Sequence, residues 1–440
     1  MSPSDVIVVG AGAAGLMASI EAARAGSRVL LLEGQKTLGA KILISGGGRC
    51  NVTNARVSEA DYNSGVPRTV RNILRSYPQS KTVTFFSTIG VELVEEQWGK
   101  LFPTSSKART VLDALVKAAH DSGVRLEHPR RVTKVGKEGE VYGVAGEDFS
   151  FHGRTLILTT GGLSLPATGS DGGGFGLARS LGHTLTHTVP ALAPLTSPDK
   201  GWSVLSGLSC EVRLSLFVAP AQVRGVTPLG DPRRADQREH GGGERRQDPE
   251  TSASGPFLFT HRGFSGPAAL DLSRHWAWNR GFGGEVRILA SFAPGLTEEA
   301  FLKATQSDIG SHPNRRLVAH LGRWVPERLA RELVRRSGLP EHLPLSQLSH
   351  EARKKLAQVL LQCELQVDGT EGFKKAEATA GGVPLDEVDA KTLESQKSPG
   401  LFLAGEILDV DGRLGGFNFQ WAWSSGHVAG LAAAHKIKPS

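Results

Sequence analysis

Val6-Ile7-Val8-Val9-Gly10-Ala11-Gly12-Ala13-Ala14-Gly15 stands near the start of the chain, and Glu33 closes a second apolar run, Arg28-Val29-Leu30-Leu31-Leu32. The first run predicts a parallel strand covered on both faces. Gly10, Gly12 and Gly15 have the G-x-G-x-x-G spacing and lead into an alanine-rich helix over about residues 13–25, which Gly26 stops. The first glycine allows the tight turn, the second lets the backbone approach a pyrophosphate, and the third lets helix and strand pack closely. The helix then directs its unpaired N–H groups at the phosphates. Glu33 falls about 20 residues on, where a carboxylate accepts hydrogen bonds from ribose hydroxyls and disfavours a 2′-phosphate. This unit predicts FAD or NAD rather than NADP.

The chain has 440 residues, room for two domains, and its net charge of +7 allows an anionic ligand without requiring one. The basic clusters, such as Arg331 to Arg336, are interleaved with apolar residues at helical spacing. They read as solvated helix faces, so a nucleic-acid partner is not expected. Cys50, Cys210 and Cys363 have no paired spacing, which fits a reducing compartment and excludes a disulfide framework. No metal site, signal peptide or uncharged bilayer-spanning run is visible, and a cytoplasmic protein is expected.

Residues 1–188 alternate strand and helix patterns, and Thr155 to Leu158 exits into Thr159-Thr160-Gly161-Gly162 at a sheet's carboxyl edge, where open α/β sheets bind ligands. Beyond Pro190, prolines cluster and short β-like segments (211–218, 284–291) precede helical patterns over about 298–361. The stretch 222–255, balanced in charge and rich in Gly and Pro, cannot bury enough apolar surface to order itself and reads as a flexible loop. The sheet pattern returns at Leu401-Phe402-Leu403-Ala404-Gly405-Glu406, and a last helix is predicted over about 418–435. The fold class is α/β: a split Rossmann-like FAD-binding domain (1–188 and 357–440) with an inserted β-rich plus helical domain (189–356). Gly169 to Gly176 follows a loop and lacks a downstream ribose acid, so it is no second dinucleotide fingerprint.

NAD alone would leave the C-terminal segment unexplained. Its strand resembles the one by which two-dinucleotide-type flavoproteins hold FAD, with Glu406 where many relatives carry Asp. Gly415-Gly416-Phe417-Asn418 then opens a helix whose free N–H groups would stabilise negative charge on a reduced flavin ring. FAD is the expected cofactor.

Lys41-Ile42-Leu43-Ile44-Ser45-Gly46-Gly47-Gly48-Arg49-Cys50-Asn51-Val52-Thr53-Asn54 resembles the signature of the bacterial YhiN/BaiN-like flavoprotein family. Gly99 to Pro103, Thr159 to Gly162, Phe259 to Pro267, Thr379 to Val383 and Gly415 to Gln420 extend the resemblance along the chain. It implies FAD bound across the split domain and a substrate-side insertion; one branch of the family reduces conjugated double bonds of oxo-bile-acid steroids with NAD(P)H.

The residues expected to hold FAD are Gly10, Gly12, Ala13, Ala14, Gly15, Glu33, Lys41, Ser45, Gly46, Gly47, Gly48, Arg49, Cys50, Asn51, Thr160, Gly161, Gly162, Gly405, Glu406, Gly415, Gly416, Phe417 and Asn418. A redox dithiol would need a second cysteine where Ala55 stands, so Cys50 reads as a packed thiol. The expected activity is FAD-dependent reduction of a small apolar substrate such as a conjugated enone. NAD(P)H would be a transient hydride donor and His261 the candidate proton donor. The alternatives are an oxidase or dehydrogenase of an amine or hydroxy acid, an RNA-acting flavoprotein, and a flavin-bearing binding protein without turnover. Oligomeric state is left open.

Overall fold

The computed structural model describes residues 4–219 and 249–437. The described chain divides into two units, one of residues 4–191 and 373–437, the other of 192–219 and 249–372.

The first unit is built on one seven-stranded sheet: β1 (Ser4–Val9), β2 (Val29–Leu32), β3 (Arg125–Glu127), β4 (Lys134–Glu138), β5 (Val141–Ala145), β6 (Ser150–Leu158) and β7 (Leu401–Leu403). Its order is β3-β2-β1-β6-β5-β4, with β7 also bonded to β6. β1, β2, β3, β6 and β7 run parallel. Val6 to Val9 and Leu30 to Leu32 are buried, as strands covered on both faces must be.

β6 is longer than the apolar run 155–158 predicts. Its first residues, Ser150 to Gly153, pair antiparallel with β5, and Leu156 to Leu158 pair parallel with β7. Only the second half has a continuous apolar pattern; the first alternates with exposed positions and carries a weaker signal.

Helices α1 (Ala13–Arg24), α2 (Ala108–Asp121) and α3 (Phe417–Ile437) cover this sheet. α1 and α3 meet on small residues. A Cβ at Gly426 would stand 2.5 Å from the Ala14 carbonyl oxygen, and one at Gly430 would stand 2.3 Å from that of Ala18. Glycines one helical turn apart therefore let the C-terminal helix lie against the nucleotide-binding helix.

The second unit has its own seven-stranded sheet, in the order 363–365, 285–291, 209–219, 251–259, 263–265, 195–196, 369–370, and every pairing is antiparallel. Trp202, Phe257, Phe259, Phe264 and Phe292 form its aromatic centre. Arg336 lies over the Trp202 ring at 3.6 Å and is bonded to Asp199 and Glu332. In the basic cluster 331–336, Arg331 and Arg335 also pair with carboxylates, those of Glu327 and Glu332.

Two expectations need correction. The chain returns to the first unit at Phe373 rather than 357, because Cys363–Leu365 and Gly369–Thr370 are edge strands of the second sheet. Pro267–Gly281, which the sequence patterns leave unassigned, is a helix with Pro at its first turn. Of the loop expected at 222–255, residues 222–248 lie outside the described residues, whereas Thr251–Phe259 is a strand paired with Ser209–Ala219.

Candidate flavin site

The loops at the carboxyl ends of β1, β2, β6 and β7 are built on glycines that differ in what surrounds them. Gly10 has φ +102°, and a Cβ there would stand 2.6 Å from the Thr159 carbonyl oxygen. A Cβ at Gly15 would stand 1.8 Å from the Gly10 oxygen, so that position packs helix against turn. Gly12 has nothing within 4 Å of a Cβ position. That open space, beside the N-terminus of α1 with no acid in its first turn, fits a pyrophosphate. Thr159 Oγ1 bonds the Val9 and Gly10 carbonyls at 2.9 and 2.8 Å and fixes the turn to β6.

Glu33 follows β2. Its Oε2 accepts from Ala11 N–H at 2.7 Å and its Oε1 from Gln35 N–H at 2.8 Å. A carboxylate keeps further lone pairs for ribose hydroxyls when each oxygen accepts one bond.

A polar network spans four segments of the first unit. Lys41 Nζ stands 2.5 Å from Glu406 Oε2 and also donates to Ser164 Oγ. Ser164 Oγ donates to Glu406 Oε1 at 2.5 Å, and Thr379 N–H donates to the same oxygen at 2.7 Å. Thr379 Oγ1 accepts from the N–H groups of Leu163 and Ser164. Ser164 and Thr379 are buried. Gly405 precedes Glu406 at φ +78°, and its Cβ position lies 2.9 Å from Ala14 Cβ, which sets the Glu406 loop against the start of α1.

Ser45 to Gly48 form a short turn in which Gly46, Gly47 and Gly48 have φ of +56°, +69° and +84°. Asn54 Nδ2 donates to Gly415 O and Trp98 O, both at 3.0 Å, and so ties this region to the start of α3. A Cβ at Gly416 would stand 2.5 Å from Thr53 O and 2.9 Å from Asn51 Oδ1. Tyr62 OH donates to Phe417 O at 2.9 Å, and the Asn418 side chain bonds both backbone groups of Gly412.

Asn51 Oδ1 and Thr160 Oγ1 are buried without a protein partner. Buried polar atoms of this kind call for a partner supplied from elsewhere. With the open position at Gly12 and the acceptor capacity of Glu33, they fit FAD.

Three expected residues have surroundings that the sequence did not show. Arg49 is bonded to Glu96 at 2.8 Å and lies over the Phe102 ring at 4.0 Å. Cys50 is fully buried, and burial pushes its thiol up to about 12 against an opposing Ser45 hydrogen bond. His261 is an exposed residue in the second unit, in the turn joining Thr251–Phe259 to Gly263–Ser265. Burial holds all three tyrosine phenols above their ordinary value.

The family model described as HI0933-like protein Rossmann domain matches residues 4–432. The chain belongs to this family. The chain is similar to the 3-dehydro-bile acid delta(4,6)-reductase of Clostridium scindens, 31% identical over 98% of each chain. The ribosomal RNA dihydrouridine synthase of Escherichia coli is 34% identical over 97% of this chain and 96% of its own. Among solved structures, a 3-ketosteroid-delta4-(5alpha)-dehydrogenase from Rhodococcus jostii aligns over 98% of this chain and 97% of its own, at 17% identity and TM-score 0.47. This HI0933-like protein is an FAD-dependent oxidoreductase. No helix among the described residues is long and apolar enough to cross a membrane.

Sequence reasoning missed Ser164 as a member of the site. Thr379 and Asn54 were visible only inside motifs carried by resemblance. Single Ser, Thr and Asn residues after strands have no periodic signature, and their role appears only when distant loops meet.

Proposed function

We propose that this protein reduces a carbon–carbon double bond conjugated to a carbonyl, using FAD and drawing hydride from NADH or NADPH in the cytoplasm. The observation that carries this reading is a bond type common to two full-length relatives with different substrates. A 3-dehydro group is a ketone, and delta(4,6) double bonds are conjugated with it. Dihydrouridine is uridine with the ring double bond beside a carbonyl saturated. The buried Cys50 supports direct transfer, since the first unit holds no other cysteine among its described residues and burial disfavours its thiolate.

FAD, when bound, supplies hydride donation to an electrophilic carbon. The chain's own groups hold and orient it. Gly10, Gly12, Ala13, Ala14 and Gly15 take the pyrophosphate, Glu33 the adenosine ribose, and Lys41 and Glu406 the region beside α1. Ser45 to Asn51, Thr160 to Gly162 and Gly415 to Asn418 enclose the remainder. His261 is our candidate for the proton that completes the reduction.

A small apolar enone is the substrate class we favour. A uracil base in RNA is the second reading, favoured by the 34%-identical relative and the net charge of +7. The test uses holoenzyme reduced chemically under anaerobic conditions and mixed with an oxo-steroid enone or a ribosomal RNA transcript. Return of the oxidised flavin spectrum, with a product heavier by two hydrogens, supports the reading and names the class. Reoxidation by oxygen alone would overturn it. Bleaching of the oxidised band by NADH or NADPH tests the donor separately.

A further inference from the structure

The proposed reaction needs a second nucleotide, either a nicotinamide donor or a uridine of RNA. Yet the chain has one dinucleotide fingerprint, at Gly10 to Gly15. A second nucleotide must therefore be held by other means.

Trp98 offers one. The residue is 60% exposed, among the largest exposures of any big apolar residue described. Its backbone has φ +61°, and Gly99 follows at +72°. These are successive left-handed positions at a hairpin tip, where tight turns favour Asn-Gly rather than an aromatic residue. A bulky residue there is strained, and such strain concentrates at functional sites. The strain persists because the turn is tied down: Glu96 N–H donates to Lys100 O, and Asn54 Nδ2 donates to Trp98 O.

The surroundings suit a nucleotide. Lys100 Nζ stands over the Trp98 ring at 4.9 Å. Lys100 and Phe102 share one face of the strand Lys100–Pro103, and Phe102 lies under Arg49. A Cβ at Gly46 would stand 3.2 Å from Phe102 Cε1. A stripe of aromatic rings and cations thus runs from the exposed tip to the Gly46 turn. The Asn54 amide joins Trp98 directly to Gly415, at the opening of α3. Arg49 is paired with Glu96 and lies over Phe102, whereas Lys100 Nζ is placed over the Trp98 ring.

We propose that Trp98 is a stacking platform for the planar ring of a nucleotide, with Lys100 placed to meet its phosphate. Base-on-aromatic stacking tolerates any planar ring, and a neighbouring cation adds affinity for the phosphate. The inference rests on the reading of the protein as a reductase that uses or acts on a nucleotide.

The experiment measures equilibrium binding of NADP+, NAD+ and a single-stranded oligouridylate to oxidised holoenzyme by calorimetry, for wild type, Trp98→Ala, Trp98→Phe and Lys100→Gln. Flavin content and melting temperature confirm folding. Trp98→Ala is expected to weaken one of these ligands by roughly tenfold, the scale of a lost stacking contact. Trp98→Phe should bind within about threefold of wild type, and Lys100→Gln should show a smaller loss and a shallower salt dependence. Loss confined to the dinucleotides names the donor, and loss confined to oligouridylate names RNA. Binding unchanged in Trp98→Ala, or no binding by wild type, would overturn the platform. Reoxidation of chemically reduced enzyme by an enone uses no added nucleotide, so the reductase reading can survive that result.

Discussion

Lys41 Nζ lies 2.5 Å from Glu406 Oε2, an ion pair between residues 365 positions apart in the chain. It joins the helix Ala40–Ile44 to the loop after β7 at the edge where the sheet presents its ligand. Both side chains are mostly shielded, at 29% and 20% exposure, so solvent screens the pair less than one on the surface.

Removing either partner should loosen this edge. Lys41→Met leaves Glu406 with its Ser164 and Thr379 bonds but no cation, and should cost about 1–3 kcal/mol of stability. Glu406→Gln keeps much of the shape and should cost less. Retention of FAD through gel filtration and urea unfolding of both variants check this. Unchanged FAD retention in Lys41→Met would remove Lys41 from the cofactor's surroundings.

Gly12 and Gly15 should part company when mutated. Gly15→Ala drives a methyl to 1.8 Å from the Gly10 carbonyl oxygen, which only backbone movement relieves, and the protein should fold poorly. Gly12→Ala meets no protein atom and keeps an allowed φ of −79°, so the apoprotein should melt normally. Its methyl instead occupies the approach to the phosphates, and FAD affinity should fall at least about tenfold, or 1.4 kcal/mol. Calorimetric titration of the apoprotein separates the two effects.

Cys50 should be chemically silent. With its thiol pushed up to about 12 and its side chain buried, iodoacetamide near neutral pH should leave it unmodified in the native protein and label it after unfolding. Cys50→Ser should retain flavin reduction by the donor. Loss of reduction with FAD still bound would reopen a redox role for the thiol.

Acid should destabilise the first unit through Glu387. Burial raises the pKa of this carboxyl, but hydrogen bonds from Thr184 and His183 outweigh it and hold the group below its ordinary value near 4.5. A depressed folded-state pKa stabilises the fold above that ordinary value, and the stabilisation fades as pH falls through the lower folded one. Urea midpoints should therefore fall below about pH 4.5 with a slope that Glu387→Gln reduces. An identical acid slope in the variant would assign the loss to other carboxylates of that unit, such as Asp389, lowered by hydrogen bonds from Lys391 and Thr392 against its burial.

Much of the nucleotide-binding unit was legible because its signals are local. β1, α1 and β2 lie where the runs and glycine spacing put them, and α3 begins at Phe417, directly after Gly415-Gly416. The same logic failed at the second boundary. Cys363–Leu365 and Gly369–Thr370 are too short to declare their sheet, and their partners lie far off in the chain. Arg49 invited a phosphate from its place beside three glycines, yet a carboxylate 47 residues away holds it.

Sequence by itself determined that this chain builds a dinucleotide turn, because that turn is a short-range problem of φ, strand twist and helix packing among neighbouring residues. Tertiary structure alone decided that Lys41, Ser164, Thr379 and Glu406 share one network and that Asn54 binds Trp98 to Gly415. Those contacts form only when the loops at the sheet's carboxyl edge converge, and nothing in the spacing of single polar residues encodes that convergence.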